Sequence, residues 1–395
     1  MNSIASNPLH DSLPFQPLGN ARSLDFLPQA CLGLRFGRQV CARCETGCPV
    51  QAIRLDQNAM ALNEHCLDCG RCAAVCPAGA LRAKGFAAQA AVSLQAMTLD
   101  CWKVPSQHGQ PDSLRIPCLG GLSKSALLAL LVESQGHAVW LLDRGWCSAC
   151  AAGGGEDHPA AAVVKEVSQI MATLGLPLAE RPQLVHDPLP ISLMPADIPT
   201  PLTQQALSRR GFFRAMLFET AATVASISAQ HDKVAATARG IDQAHPAGHT
   251  ASRVAALIMQ LAQRAGQPFS ANLFASVELD EACCNHGICA AVCPSGALNR
   301  YEDAEASGIQ FDPTTCLACG VCETVCPQHA AHLLPQGNAK HPVQRLELNR
   351  FIQTACSSCG KKFNKTPQMP ICAACKKQRQ LGKSLFGTLY ASDRI

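Results

Sequence analysis

The stretch "CLDCGRCAAVCPAGA", residues 66–80, places cysteines at 66, 69, 72 and 76 and a proline at 77. This is the iron–sulfur ligand run C-x2-C-x2-C-x3-C-P. Three cysteines on a tight turn can each reach a different iron, while the fourth opens a helix aimed at a neighbouring cluster. Proline after it suits a first helical position, where no N–H is needed. The run returns at 316–330 as "CLACGVCETVCPQHA", with Cys316, Cys319, Cys322 and Cys326 followed by Pro327.

Each clean run is preceded by an irregular one. "CARCETGCPV" holds Cys41, Cys44 and Cys48 before Pro49, and Cys31, ten residues upstream, can supply the missing first ligand through a longer loop. "EACCNHGICAAVCPSGAL", residues 281–298, keeps Cys283, Cys289 and Cys293 in register but sets His286 where a second cysteine is expected, beside a surplus Cys284. On these motifs the chain resembles two-cluster bacterial ferredoxins twice, over 28–88 and 273–340. That resemblance implies cross-ligation: Cys31, Cys41, Cys44 and Cys76 on one 4Fe–4S cluster, and Cys66, Cys69, Cys72 and Cys48 on the next. In the second unit it implies Cys283, position 286, Cys289 and Cys326 on a third, and Cys316, Cys319, Cys322 and Cys293 on a fourth. A dead third loop would strand Cys289 and Cys326. Three outcomes stay open: His286 ligates, an iron is lost to give 3Fe–4S, or Cys284 takes the place.

A different scaffold carries Cys101, Cys118, Cys147 and Cys150. "AMTLDC", "LRIPC" and "AVWLLD" read as short apolar strands, and "SKSALLALLVESQG" as a helix with Leu127, Leu128, Leu130 and Leu131 on its apolar face. Strand, helix, strand with ligands at the strand ends is a β-α-β plan. The stretch "RIPCLGGLS…VWLLDRGWCSAC" resembles the small delta subunit of methanogen hydrogenase–heterodisulfide reductase complexes, and is similar in plan to thioredoxin-like 2Fe–2S ferredoxins. The resemblance implies a 2Fe–2S cluster on these four cysteines. The alternative is a bare redox dithiol at Cys147 and Cys150, which leaves Cys101 and Cys118 unexplained.

The last group, Cys356, Cys359, Cys372 and Cys375, forms two C-x2-C knuckles around a short polar loop, as in a tetrahedral zinc ribbon. A rubredoxin-like iron site has the same spacing, but Lys361 and Lys362 beside the knuckle suit zinc. From Lys340 to Lys383 ten Lys or Arg stand against one acid, Glu347.

All 24 cysteines thus fall into local groups of four in a chain of 395 residues, long enough for two or three domains. Such C-x2-C spacing, without an export signal in the first thirty residues, points to metal ligands rather than disulfides. No run of roughly 18 apolar residues suggests a membrane span. The formal charge of +4 changes sign when thiolate-bound centres, each near −2, are counted, leaving a holo-protein near about −8 and no general affinity for nucleic acid. Residues 203–229 contain "LSRRGFFRAML", which looks like a twin-arginine motif but reads better here as an amphipathic helix, with Phe213, Met216, Leu217 and Val224 inward. No nucleotide loop, Walker motif or H-E-x-x-H is present.

The expected fold is α+β and multidomain. It has an extended arm over 1–27, a ferredoxin-like 2×4Fe–4S unit over 28–88 and a thioredoxin-like α/β unit over 89–180. A helical linker over 181–272, a second ferredoxin-like unit over 273–340, a zinc ribbon over 350–380 and a tail over 381–395 follow. The expected function is electron transfer in the cytoplasm, by a carrier or subunit without its own substrate site. Its partner would be an oxidoreductase, by analogy a molybdenum or tungsten formate dehydrogenase or a hydrogenase. The rival is an assembly or redox-sensing protein whose ribbon grips a partner.

Overall fold

Short strands flanking short helices make up both cysteine-rich ends of the computed structural model, which describes residues 16–17, 24–56, 59–86, 96–153, 155, 157–195, 248–269, 271–303, 305–337, 343–364, 371–372 and 374–381. In the first unit Leu24–Phe26 pairs antiparallel with Leu81–Ala83, and Ile53–Leu55 forms a hairpin with Met60–Leu62. The four-residue helices Arg43–Thr46 and Arg71–Ala74 lie between them. The second unit repeats this plan: Ser276–Leu279 pairs with Ala331–Leu334, and Leu298–Glu302 with Ala306–Phe311. Helices Ile288–Ala291 and Val321–Thr324 sit between. The fold is mixed α/β.

Each unit has a small apolar core. Leu24, Ile53, Leu55, Met60, Leu62 and Leu81 make the first, and Val277, Leu298, Ile309 and Phe311 the second, with cysteines packed among them. So few apolar side chains cannot hold a unit this size without metal or covalent help. The first unit begins earlier than residue 28. Leu24–Phe26 is one of its strands, and Gln16–Pro17 pairs with the edge of Met60–Leu62, so part of the expected arm belongs to the sheet. Strands of two or three residues are too short for alternation to reveal them.

The middle unit differs from a thioredoxin-like module. Its strands run in the order Leu114–Ile116, Ala96–Cys101, Ala138–Asp143, Gln183–His186, and every neighbour is parallel. This second-first-third-fourth order is that of a doubly wound sheet, with no antiparallel strand at its edge. Helix Lys124–Glu133, capped by the Ser123 side chain accepting from Ala126 N–H, buries the expected Leu127, Leu128, Leu130 and Leu131. Helix Ala161–Thr173 adds Val167 and Met171. The fourth strand and the helix Gly248–Ala265 both fall in the segment expected to be a linker. That helix buries Ile258, Leu261 and Ala262 in the same core. Arg264 ties it down by donating to Leu131 O at 3.0 Å and pairing with Glu180 at 2.9 Å. A cation there also faces the carbonyl end of helix Lys124–Glu133.

The ribbon is not a separate bead. Strand Leu346–Ala355 pairs with Ala306–Phe311 of the second unit and with Lys362–Asn364 of the ribbon. The amphipathic helix expected over 203–229 lies outside the described residues. Among the described residues no helix is long and apolar enough to cross a membrane.

Candidate metal centres

The ligand loops owe their shape to backbone positions that demand positive φ. Gly70, Gly287 and Gly320, with φ of 73°, 73° and 74°, each cap a four-residue helix. The residue two before each is also left-handed: Asp68, Asn285 and Ala318 at 51°, 57° and 50°. Between these pairs stand Cys69, His286 and Cys319, so His286 occupies the backbone place of the second cysteine. Cys284 corresponds to Leu67 and Leu317. The third residue after the cysteine of each Cys-Pro is again positive: Gln51 at 50°, Gly79 at 61°, Gly296 at 70° and His329 at 51°. That turn folds backbone N–H groups over the fourth thiol. Ala52 donates to Cys48 Sγ at 3.2 Å, Ala330 to Cys326 at 3.3 Å and Leu298 to Cys293 at 3.5 Å. Donors aimed at sulfur favour the thiolate.

The thiols converge in crossed sets. Cys48, Cys66, Cys69 and Cys72 line one cavity with Leu24, Ile53 and Leu62. Cys31, Cys41, Cys44 and Cys76 line another with Leu55, Met60 and Ala80. The helix Leu32–Phe36, which Cys31 caps, fills the long spacing before Cys41. Burial pushes Cys44 up to about 12, and Cys31, Cys76 and Cys41 add to it by repulsion. Burial likewise raises Cys66 to about 11, with Cys69 and Cys48 contributing. In the second unit burial takes Cys322 to about 12, with Cys316, Cys319 and Cys293 adding. Cys289 is raised by burial, with Cys283 and Cys326 as its charged neighbours. Thiols gathered this way ionise together only when a cation offsets the repulsion, which fits iron in each set.

The third set has three thiols and a different fourth group. His286 is exposed, with Nδ1 3.0 Å from Gln328 Oε1 and 3.2 Å from Cys284 Sγ. The backbone offers position 286 to the set, while the ring rests on Cys284.

In the middle unit the four cysteines stand at the carboxyl ends of parallel strands, where doubly wound sheets place their sites. Cys101 ends one strand, Cys118 follows the next, and Cys147 and Cys150 follow the third. A buried ion pair clamps two of these ends: Asp100 and Arg144 meet at 2.6 Å, and Asp100 Oδ1 also accepts from Cys101 N–H at 2.8 Å. Sequence reading missed this pair, since nothing local links residues 44 apart. Burial pushes Cys101 up to about 11, with Cys150 and Cys147 adding. Cys147 rises to about 12 by burial, with Cys118, Asp143 and Cys150 adding. His158 sets a ring nitrogen within 4.8 Å of both Cys147 and Asp143, and its Nε2 is buried without a hydrogen-bond partner. Its Nδ1 accepts from Ala160 N–H at 3.2 Å, which leaves Nε2 to carry the proton.

Cys356, Cys359, Cys372 and Cys375 bring their sulfurs within 4.8 Å of one another, and Cys359 and Cys372 lie 3.8 Å apart. Tetrahedral bonds of about 2.3 Å separate sulfurs by about 3.8 Å, so the set suits one ion. Cys356 is held low by backbone N–H groups, that of Cys372 at 3.3 Å first among them. Elsewhere, among the described residues, no three sulfurs come this close.

The sets also touch one another. Cys118 feels the charge of Cys69, and the Gly121 backbone packs against the Cys69 carbonyl so closely that a Cβ would overlap it. Cys72 feels Cys44. Leu317 and Cys319 pack on Leu32 and Ala78, as Cys41 does, and Cys319 feels Arg43. Cys289, Cys293, Cys316 and Cys322 share one cluster of packed residues.

Residues 282–330 match the family model of the 4Fe-4S dicluster domain, and residues 39–87 that of the LdpA Fe-S cluster-binding domain. This is an iron–sulfur protein. The first match spans His286 together with both loops of the second unit, and the second spans Cys41 to Cys76 but leaves Cys31 outside. No curated protein matches the chain.

Proposed function

We propose that the protein is an electron-transfer protein, or an electron-transfer subunit of an oxidoreductase, built as a single relay. The observation that carries this reading is the end-to-end contact of its thiol sets. The order runs from Cys101, Cys118, Cys147 and Cys150 to the Cys66 set, then the Cys31 set, the Cys316 set and the Cys283 set. Four 4Fe–4S clusters and one 2Fe–2S cluster, when bound, supply one-electron chemistry at these places. The chain's own residues bury each site, aim N–H groups at sulfur and hold adjacent sets in contact. The two cavities named above are ligand sites themselves, which leaves the chemistry on a substrate to the partner. The ribbon, as a structural zinc site with Arg345, Arg350, Lys361, Lys362, Lys376 and Lys377 around it, serves docking to an acidic partner surface. The partner is an oxidoreductase of the cytoplasm.

Anaerobically purified protein should hold about 18 iron and one zinc per chain. The order is tested at its second junction. In Cys44→Ser, rapid reduction by a viologen should still reach the middle unit and the Cys66 set, while electrons arriving from that end fill the second unit more slowly. Unchanged filling of every centre would refute the sequence of links.

A further inference from the structure

We infer that Asn349 sets the reduction potential of the centre at Cys283, Cys289 and Cys326, reaching it from the strand that also carries the ribbon. This rests on reading those thiols as a cluster site. Asn349 Nδ2 donates to Cys283 Sγ at 3.1 Å. Its Oδ1 accepts from Ile309 N–H at 2.9 Å, which fixes the amide with oxygen toward the backbone and nitrogen toward sulfur. The Asn349 carbonyl in turn accepts from the Tyr301 hydroxyl at 3.3 Å.

The strand register explains how the side chain gets there. Asn349 stands opposite Ile309 and Glu347 opposite Gln310, so Leu348 is an extra residue and the ladder is bulged at this point. Bulges re-aim neighbouring side chains and recur beside functional sites. Gly308 permits the close approach, because a Cβ there would overlap both the Asn349 carbonyl and the Tyr301 ring.

Other thiols of the cubane sets are served from their own loops. Cys48, Cys316 and Cys326 receive backbone N–H groups of Ala52, Ala318 and Ala330. Cys283 receives a side-chain amide from 66 residues away. A hydrogen bond to a cluster sulfur favours the more negative, reduced state and so raises the potential. Position 286, which offers an imidazole in place of a thiolate, pushes the same way where it ligates. Together they make this centre the most easily reduced of the relay and its terminal electron trap. Asn349 is a positioning and tuning residue; it touches the ligand, not the reacting partner. The loop does not depend on it alone, because Asn285 Nδ2 donates to Ser307 Oγ at 2.9 Å on the facing strand.

Two variants separate tuning from folding. Asn349→Asp keeps an acceptor for Ile309 N–H and removes the donor; Asn349→Leu removes both at similar volume. Iron analysis of the wild-type protein comes first, because iron short by one cubane defeats the cluster reading itself. With that centre present, EPR-monitored redox titration should show one signal, the one that also moves in His286→Cys, shifting to lower potential in both variants. The expected size is about tenfold in the reduction equilibrium, which is about 59 mV for one electron. The other signals should stay in place. An unmoved midpoint in both variants overturns the inference, and so does an equal shift of every signal, which would mean a loosened sheet.

Discussion

The loops Cys66–Cys72 and Cys283–Cys289 follow one backbone path and present different atoms at its second ligand position. Asp68 and Asn285 have φ of 51° and 57°, and Gly70 and Gly287 both have 73°. Their surroundings separate them. A Cβ on Gly70 would overlap the Phe86 ring, and the neighbouring Arg71 donates to Ala152 O at 3.0 Å and Gly153 O at 2.5 Å of the middle unit. Around Gly287 the nearest atom is Arg300 Cδ, 3.1 Å from where a Cβ would sit, and Cys284 and His286 are exposed. The path of a ligand loop is therefore set by its left-handed residues and not by which atom binds. Position 286 stands in the loop whose capping glycine meets only Arg300 of its own unit.

The sharpest way to break this comparison is to remove the equivalent fourth thiol from each unit. Cys326→Ser leaves the third set with two thiols and should cost about four irons per chain, whereas Cys76→Ser leaves its set with three and should cost about one. Equal iron loss in the two variants would mean that His286 or Cys284 already serves as a full ligand. Next in size are the capping glycines. Gly70→Ala and Gly287→Ala both force a left-handed alanine, worth about 1–2 kcal/mol, but only the first meets an aromatic ring. Denaturant midpoints should fall further for Gly70→Ala, and a larger fall for Gly287→Ala would reverse the account of which loop is braced. His286→Cys makes the two loops alike. If the imidazole is a ligand, one EPR midpoint should drop with no change in iron, while a gain of about one iron would show that the wild-type centre is 3Fe–4S. The smallest effect on iron belongs to the ribbon. Cys372→Ser should release zinc and weaken capture of the partner with the iron count intact, and loss of an iron signal would move the ribbon into the relay.

Spacing made the four-cysteine runs legible, because each run is local and its proline and glycine positions are fixed by backbone sterics, while their crossing was an implication of the resemblance to two-cluster ferredoxins. Cys31 was reached only as a ligand on a longer loop; the helix Leu32–Phe36, which fills part of the gap to Cys41, is too short to show in the sequence. The parallel order of the middle sheet was not legible. Residues 102–113 join its first two strands without a helix, and the fourth strand, "QLVH" at 183–186, is too short to show a period. Asn349 escaped for another reason: its importance comes from a bulge opposite Ile309, and bulges depend on pairing between distant strands. The ribbon's shared strand escaped likewise, since its alternation suits an isolated hairpin as well as a sheet continued from another unit.

The helix Gly248–Ala265 touches every large part of the molecule. It lies on helix Lys124–Glu133 of the middle unit, meets Pro313–Thr315 of the second ferredoxin unit, and brings Thr250 Oγ1 against Gly79 of the first. A wedge with three neighbours couples their melting. Loss of metal at one unit would loosen the helix and withdraw its buried face from the others, so heating should give one calorimetric transition where three independent beads would give three. Amide hydrogens near Ile258 and Leu261 should then exchange only through that shared, global opening.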